Sequence, residues 1–169
     1  IFKRYIFKKI LNLSDQIMVN SLQFKSDLKK YLNLNSTCIY NPLNKKEILK
    51  KSKRKSKKIF SSTNKLKILN IGRFTDQKDQ LTLLKSLNIL KGKVDFEACI
   101  VGRGVLKKRL QNYILENNLV NLVKIIDFVE NPYPLMKQSN LFVLTSKFEG
   151  LPNVLLESLV LKKFVISSN

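Results

Sequence analysis

The sequence predicts an α/β chain built on a doubly wound parallel sheet. Three observations carry this: short apolar runs of strand length, helical apolar spacing between them, and Gly-bearing turns where runs end. The regular part starts at Lys65. Runs 66–71, 96–101, 123–126, 141–144 and 164–166 read as strands, and 79–90, 105–117, 134–138 and 153–161 as helices. Such sheets bind ligands at the carboxyl ends of their strands. Gly72, Gly102 and Gly150 all fall at those ends.

Residues 1–13 carry a basic amphipathic helical pattern, with Ile6, Ile10 and Leu13 on one side and Lys3, Arg4, Lys8 and Lys9 around it. Residues 16–19 read as a short buried strand. Ser21 is placed to cap a helix over about 22–33. Residues 38–40 form another short strand, closed by Asn41-Pro42. Residues 45–58 hold nine positive charges and one acid. With few apolar groups to bury, they read as a solvated helix or flexible connector; an anionic-membrane patch and an RNA-binding tract are the alternatives. In the helix at 79–90, Leu81, Leu84, Leu87 and Leu90 are expected inward. In the helix at 153–161, Leu155, Leu156, Leu159 and Val160 are expected to form the buried stripe, leaving Glu157 off the core face.

Charge and residue usage bound the chemistry. The 169 residues hold 32 Lys and Arg against 12 Asp and Glu, a net charge of +20. Only five of the 32 cations are Arg, whereas nucleic-acid readers lean on Arg for bidentate contacts. The Lys excess beside many Asn and Ile residues fits AT-rich codon usage as well as it fits a functional patch. With no His, Cys/His zinc sites and His-based triads are excluded within this chain. Cys38 and Cys99 lack paired spacing and sit in strand-like runs, so reduced core thiols in a cytoplasmic protein are expected. No apolar run approaches the length that crosses a bilayer. The chain opens without Met and stops just after a strand, so it reads as a fragment.

The most informative segment is Phe148-Glu-Gly-Leu-Pro-Asn-Val-Leu-Leu-Glu157. It follows strand 141–144 and the turn Thr145-Ser146-Lys147, with Pro152 suited to a helix's first turn. An isolated pair of acids is most often a loop residue and a solvated helix position. Here the second carboxylate lies on the helix, beyond a loop whose free N–H groups can hold a phosphate.

This segment resembles the Glu-x7-Glu motif of the retaining, GT-B-fold glycosyltransferases of family 4. Gly72-Arg73 with Lys78 resembles that family's "GR…K" signature. Gly102-Arg103-Gly104 resembles its "vGxGp" turn, with Arg103 where Asp or Ser is frequent and Val105 where Pro is usual. Phe128-Val129-Glu130-Asn131-Pro132 resembles its "G-f/y-v-x-n-p" loop, with Asp127 at a frequent Gly position. The strand, helix, strand series of 16–42 is similar to the end of a GT-B N-terminal domain.

The resemblance implies a GT-B fold with Rossmann-like sheets, incomplete at both ends. Residues 1–44 would be the tail of the acceptor-side domain, 45–64 a basic linker, and 65–169 a truncated nucleotide-sugar-binding domain. The reaction implied is transfer, with retention, of a hexose from a nucleotide-diphosphate donor, UDP-linked by family frequency, to a glycan or lipid-linked acceptor in surface polysaccharide or lipopolysaccharide synthesis. Glu149 would contact the donor sugar and Glu157 the ribose hydroxyls. Arg73 and Lys78 would hold the diphosphate, and backbone amides of Gly150, Leu151 and Asn153 would meet sugar and phosphate. Gly72 and Gly102 would shape the cleft, the latter turn touching ligand through backbone alone, and Phe128 and Val129 would border the base. No cofactor and no metal are implied. A cytoplasmic place with peripheral contact on an anionic inner membrane face fits segments 1–9 and 45–58. The competing readings are a basic nucleic-acid-binding module, which leaves the Gly-bearing strand ends unexplained, and a nucleotide-sugar epimerase of the same fold.

Overall fold

The computed structural model describes residues 2–168, with side chains from Tyr5 onward, so Lys3 and Arg4 lie outside the described side chains. The chain forms two compact units. The first comprises 1–42 with 149–153; the second comprises 43–148 and 154–169.

In the first unit, α1 (Phe2–Asn12) precedes β1 (Met18–Val19), α2 (Leu22–Leu32) and β2 (Thr37–Cys38). The two strands pair in parallel, Met18 opposite Thr37. Ser21 caps α2 as its sequence position predicts, its Oγ accepting from the Phe24 N–H at 3.1 Å. Asn33 ends the helix in the left-handed region that Asn tolerates. Val19, Leu28, Leu32 and Leu34 form the core, with Cys38 partly buried against it. The ladder stops short of 39–40, leaving Ile39 and Tyr40 exposed. Ile6 and Ile10 on α1, and Leu13 just after it, are also exposed, so the apolar stripe read there is not a core face of this unit.

The second unit is a five-stranded, all-parallel sheet of order β5-β4-β3-β6-β7. Its strands are β3 (Leu66–Ile71), β4 (Phe96–Val101), β5 (Val123–Ile126), β6 (Leu141–Leu144) and β7 (Phe164–Ser167). Side chains alternate across the sheet. Ile68, Ala98 and Ile100 face α4 (Gln80–Leu90) and α5 (Lys107–Glu116), with Leu84, Leu87, Leu110 and Phe74 in one core. Leu69, Cys99, Val101 and Phe142 face the opposite way, toward α6 (Tyr133–Gln138) and α7 (Asn153–Val160). The sheet is therefore doubly wound, the arrangement that the resemblance to GT-B enzymes implies. Chain progress runs β3 to β4 to β5 and then returns to the other side of β3, which opens a crevice where the direction reverses.

Three details refine the sequence reading. Of the two readings of 45–58, the solvated helix forms over α3 (Lys45–Lys51), exposed on most of its surface with Ile48 buried, and the chain beyond the segment buries Ile59 and Phe60 on the α6 face of the sheet. The Glu97 carboxylate fastens this segment by accepting the Ser61 and Ser62 N–H groups at 2.7 and 2.8 Å. Burial pushes that carboxyl up, but the two N–H bonds together with the charges of Lys124 and Lys65 outweigh it and hold its pKa below the usual value. In α4, Leu83 is buried while Leu81 and Leu90 are only partly so. In α7, Leu159 is exposed; the inward face is Val154, Leu155 and Ser158, with Leu161 following, and Glu157 lies half-buried on that side. Ser158 can face inward because its hydroxyl donates to the Val154 carbonyl at 2.8 Å.

The glycines of the 102–104 turn have a steric explanation. A Cβ on Gly102 would stand 1.9 Å from the Gly72 carbonyl oxygen, and one on Gly104 2.4 Å from that of Phe74. The two turns thus touch backbone to backbone. Gly102→Ala is expected to cost about 3 kcal/mol of unfolding free energy, since backbone must move. Gly92→Ala, at φ +77 with nothing within 4 Å of its Cβ, is expected to cost only about 1 kcal/mol. Urea unfolding of the two variants measures the difference.

Candidate functional site

The ends of β3 and β4 are tied together by short backbone bonds. The Gly72 N–H donates to Val101 at 3.0 Å, and the Phe74 N–H to Arg103 at 2.9 Å. Phe74 is fully buried beneath the turn and acts as its plug. From α4, Gln80 donates its Nε2 to the Arg73 carbonyl at 3.0 Å. Asp79 holds the start of α4: its carboxylate accepts from the Thr82 N–H and hydroxyl, and its carbonyl accepts from the Thr145 hydroxyl at the end of β6. Arg73 is therefore presented from a fixed backbone with its side chain exposed. Lys78 runs alongside Gly72, its Cδ 3.6 Å from where a Gly72 Cβ would be. A Cβ there would make only ordinary van der Waals contact with it.

A cavity of about 480 Å³ opens at the carboxyl edges of β3, β4 and β5. Its walls include Ile71, Gly72, Arg73, Val101, Gly102, Arg103, Phe128, Val129, Tyr133, Val154 and Glu157. Of the sequence-predicted residues, Gly72, Arg73, Gly102, Phe128, Val129 and Glu157 meet here, with Lys78 adjoining through Gly72. Glu149, Gly150, Leu151 and Asn153 do not line it; they cluster with the first unit. There a Gly150 Cβ would stand 2.8 Å from Asn20 Oδ1, and Asn153 Oδ1 accepts from Asn41 Nδ2 at 3.0 Å.

Glu157 is the cavity's most unusual group. Burial raises its carboxyl pKa, opposed by a hydrogen bond in which the Tyr133 hydroxyl donates to Oε1 at 3.1 Å. Burial and the neighbouring carboxylate push the Tyr133 phenol up to about 12, so it stays a donor at neutral pH. One carboxylate oxygen is thereby oriented. Tyr133 escaped sequence reading because an aromatic at the start of a short helix reads as core. Arg103 was expected to act through backbone alone, but its guanidinium lies 5.0 Å from the centre of the Phe128 ring and its side chain lines the cavity. Asp127, at a frequent Gly position, is exposed and pairs with Lys107, so it places no unpartnered acid at the end of β5. Among the described residues, no three or more His, Cys, Asp or Glu side chains are grouped to hold a metal ion, and no helix is long and apolar enough to cross a membrane.

Comparison with known proteins fits this geometry. Residues 51–169 match the family described as glycosyl transferases group 1. The chain is 41% identical over 102 residues to an uncharacterized glycosyltransferase of Methanocaldococcus jannaschii, covering 60% of this chain and 25% of that protein. It is 37% identical over 102 residues to a Campylobacter jejuni protein named N-acetylgalactosamine-N,N'-diacetylbacillosaminyl-diphospho-undecaprenol 4-alpha-N-acetylgalactosaminyltransferase, covering 60% and 27%. The chain thus spans about a quarter of the length of these relatives. Among solved structures, Anabaena HepE in complex with UDP and glucose superposes with a TM-score of 0.78 at 19% identity, covering 97% of this chain and 47% of that one. Sucrose-phosphate synthase of Thermosynechococcus elongatus superposes at 0.80 and 18% identity, covering 98% and 43%. With more than two thirds of its length matched, the chain belongs to the glycosyl transferases group 1.

Proposed function

We propose that this chain carries the donor side of a retaining, nucleotide-sugar-dependent glycosyltransferase acting in surface polysaccharide or lipid-linked glycan synthesis. One observation carries the reading: a single cavity at the strand ends joins an exposed Arg73, a half-buried Glu157 and the apolar faces of Phe128 and Val129. Those are the three surfaces a nucleoside diphosphate needs. Phe128 and Val129 border the base, the Glu157 carboxylate accepts from the ribose hydroxyls, and Arg73 with Lys78 meets the diphosphate. Glu149 serves the donor sugar, and the amides of Gly150, Leu151 and Asn153 meet sugar and phosphate.

In this reading the bond between the anomeric carbon and the diphosphate breaks while an acceptor hydroxyl attacks from the same face. Its proton passes to the departing phosphate oxygen, so no side-chain base is required. Negative charge grows on the leaving phosphate, and fixed cations stabilise it without reorganising. Protein cations serve where another enzyme would use a metal. The nature of the Campylobacter relative supports a lipid-linked acceptor. The Lys-rich stretches at 45–58 and on α1 suit peripheral contact with an anionic cytoplasmic membrane face.

The test is calorimetry on the full-length protein with UDP, GDP and ADP, beside Glu157→Ala and Lys78→Ala. One diphosphate is expected to bind selectively and each variant to weaken it about tenfold or more. Binding of no nucleotide, or equal binding by both variants, sinks the proposal; polynucleotide binding with steep salt dependence would then favour the basic-module reading.

A further inference from the structure

Phe128 stands at the cavity mouth with 58% of its surface exposed, an unusual place for a Phe that closes no core. The guanidinium of Arg103 lies over its ring at 5.0 Å. Both side chains line the same cavity, and both rise from strand ends, Arg103 after β4 and Phe128 after β5. The Arg103 backbone is pinned, since its carbonyl accepts the Phe74 N–H at 2.9 Å, while its side chain is exposed. The guanidinium can therefore swing without moving the turn.

We infer that Arg103 and Phe128 form a stacking clamp for the nucleobase of the donor, with Arg103 closing over a ring that lies on Phe128. This deepens the donor-site reading above and rests on it. Flat groups stack at about 3.5–4 Å on each side, so a ring held between the two needs a gap of roughly 7 Å. The 5.0 Å pair is too close to admit one. Arg103 must lift from Phe128 and settle on the outer face of the base, exchanging one cation–π contact for another. Both groups read a flat π-face rather than charge alone. The clamp thus acts on the base and not on the phosphates, which distinguishes Arg103 from Arg73 and Lys78.

The experiment uses the full-length protein with the nucleoside diphosphate it binds best, and inorganic pyrophosphate as a base-free probe. Both side chains are exposed, so Arg103→Ala, Arg103→Lys and Phe128→Leu are expected to fold. Arg103→Ala and Phe128→Leu should each weaken the nucleoside diphosphate about 5- to 50-fold, the range of losing one stacked face. Pyrophosphate affinity should stay within about twofold, and Arg103→Lys should recover only a minor part of the loss because a lysine has no plane to stack. An equal loss of pyrophosphate would make Arg103 a phosphate contact and overturn the clamp. Full recovery in Arg103→Lys, or no change in nucleoside diphosphate affinity, would also overturn it while leaving the donor site standing. A wild-type protein that binds pyrophosphate but no nucleoside diphosphate would overturn both.

Discussion

Arg73→Ala and Lys78→Ala in the full-length protein are each expected to lower kcat/KM for sugar transfer by about 10²- to 10³-fold, the usual loss when a preorganised group facing transition-state charge is removed. Two features of the site argue for so large an effect. The Gly72–Arg73–Phe74 turn is held by the Val101 and Arg103 carbonyls, the buried Phe74 and the Gln80 amide. Lys78 lies against Gly72, so the two cations flank one backbone turn. Because the Arg73 side chain is exposed, its removal should change unfolding free energy by less than about 0.5 kcal/mol. Steady-state kinetics beside urea unfolding separates the two effects: a large kinetic loss at unchanged stability is expected. A loss of both in proportion would mean that the side chain is structural.

The second large effect is a pH dependence set by Glu157. Its pKa is raised by burial. In the proposed site a ribose diol donates to the ionised carboxylate, so nucleotide affinity is expected to be full above the raised pKa and to fall as pH drops through it. The limit is tenfold per pH unit if only the ionised form binds. Tyr133→Phe removes the one hydrogen bond that lowers this pKa, so the acid limb should move to higher pH. Glu157→Gln should bind more weakly and show no such limb. For folding the sign is reversed. The folded state holds this proton more tightly than the unfolded chain, so stability falls as pH rises from about 4.3 through the raised value. Calorimetry across pH 4.5 to 8 on the three proteins checks it. A Tyr133→Phe profile that superposes on wild type would remove Tyr133 from the role of positioning Glu157.

Much of the fold was legible because each strand of the second unit is a short apolar run ending at a turn signal. Periodicity places β3, β4, β5 and β6 at the residues where they form. Strand order was not legible, because the return of β6 to the far side of β3 is decided by helix packing on both faces. In 45–58 charge dominates the composition, so the anchoring of this stretch by Ile48, and by Ile59 and Phe60 just beyond it, was not legible. The face of α7 misled for a related reason: Ser158 counts as polar, yet its hydroxyl is satisfied within its own helix and it turns inward. That rotation brings Glu157 onto the half-buried side.

The candidate site divides along the same line. Gly72, Arg73, Gly102, Phe128, Val129 and Glu157 come from four separate strand-end turns or helices and meet around one cavity. Their convergence was legible because all parallel strands end on one edge. Arg103 and Tyr133 were not, because their roles depend on side-chain partners, Phe128 and Glu157, that are distant in sequence.

The central claim is that the cavity above β3, β4 and β5 holds the nucleotide. A crystal structure of the full-length protein with the nucleoside diphosphate that binds best tests it most directly. The account predicts the base against Phe128 and Val129, the ribose hydroxyls on Glu157, and the terminal phosphate beside Arg73 and Lys78. A nucleotide seated elsewhere, with Glu157 bonded to Tyr133 alone, would contradict it.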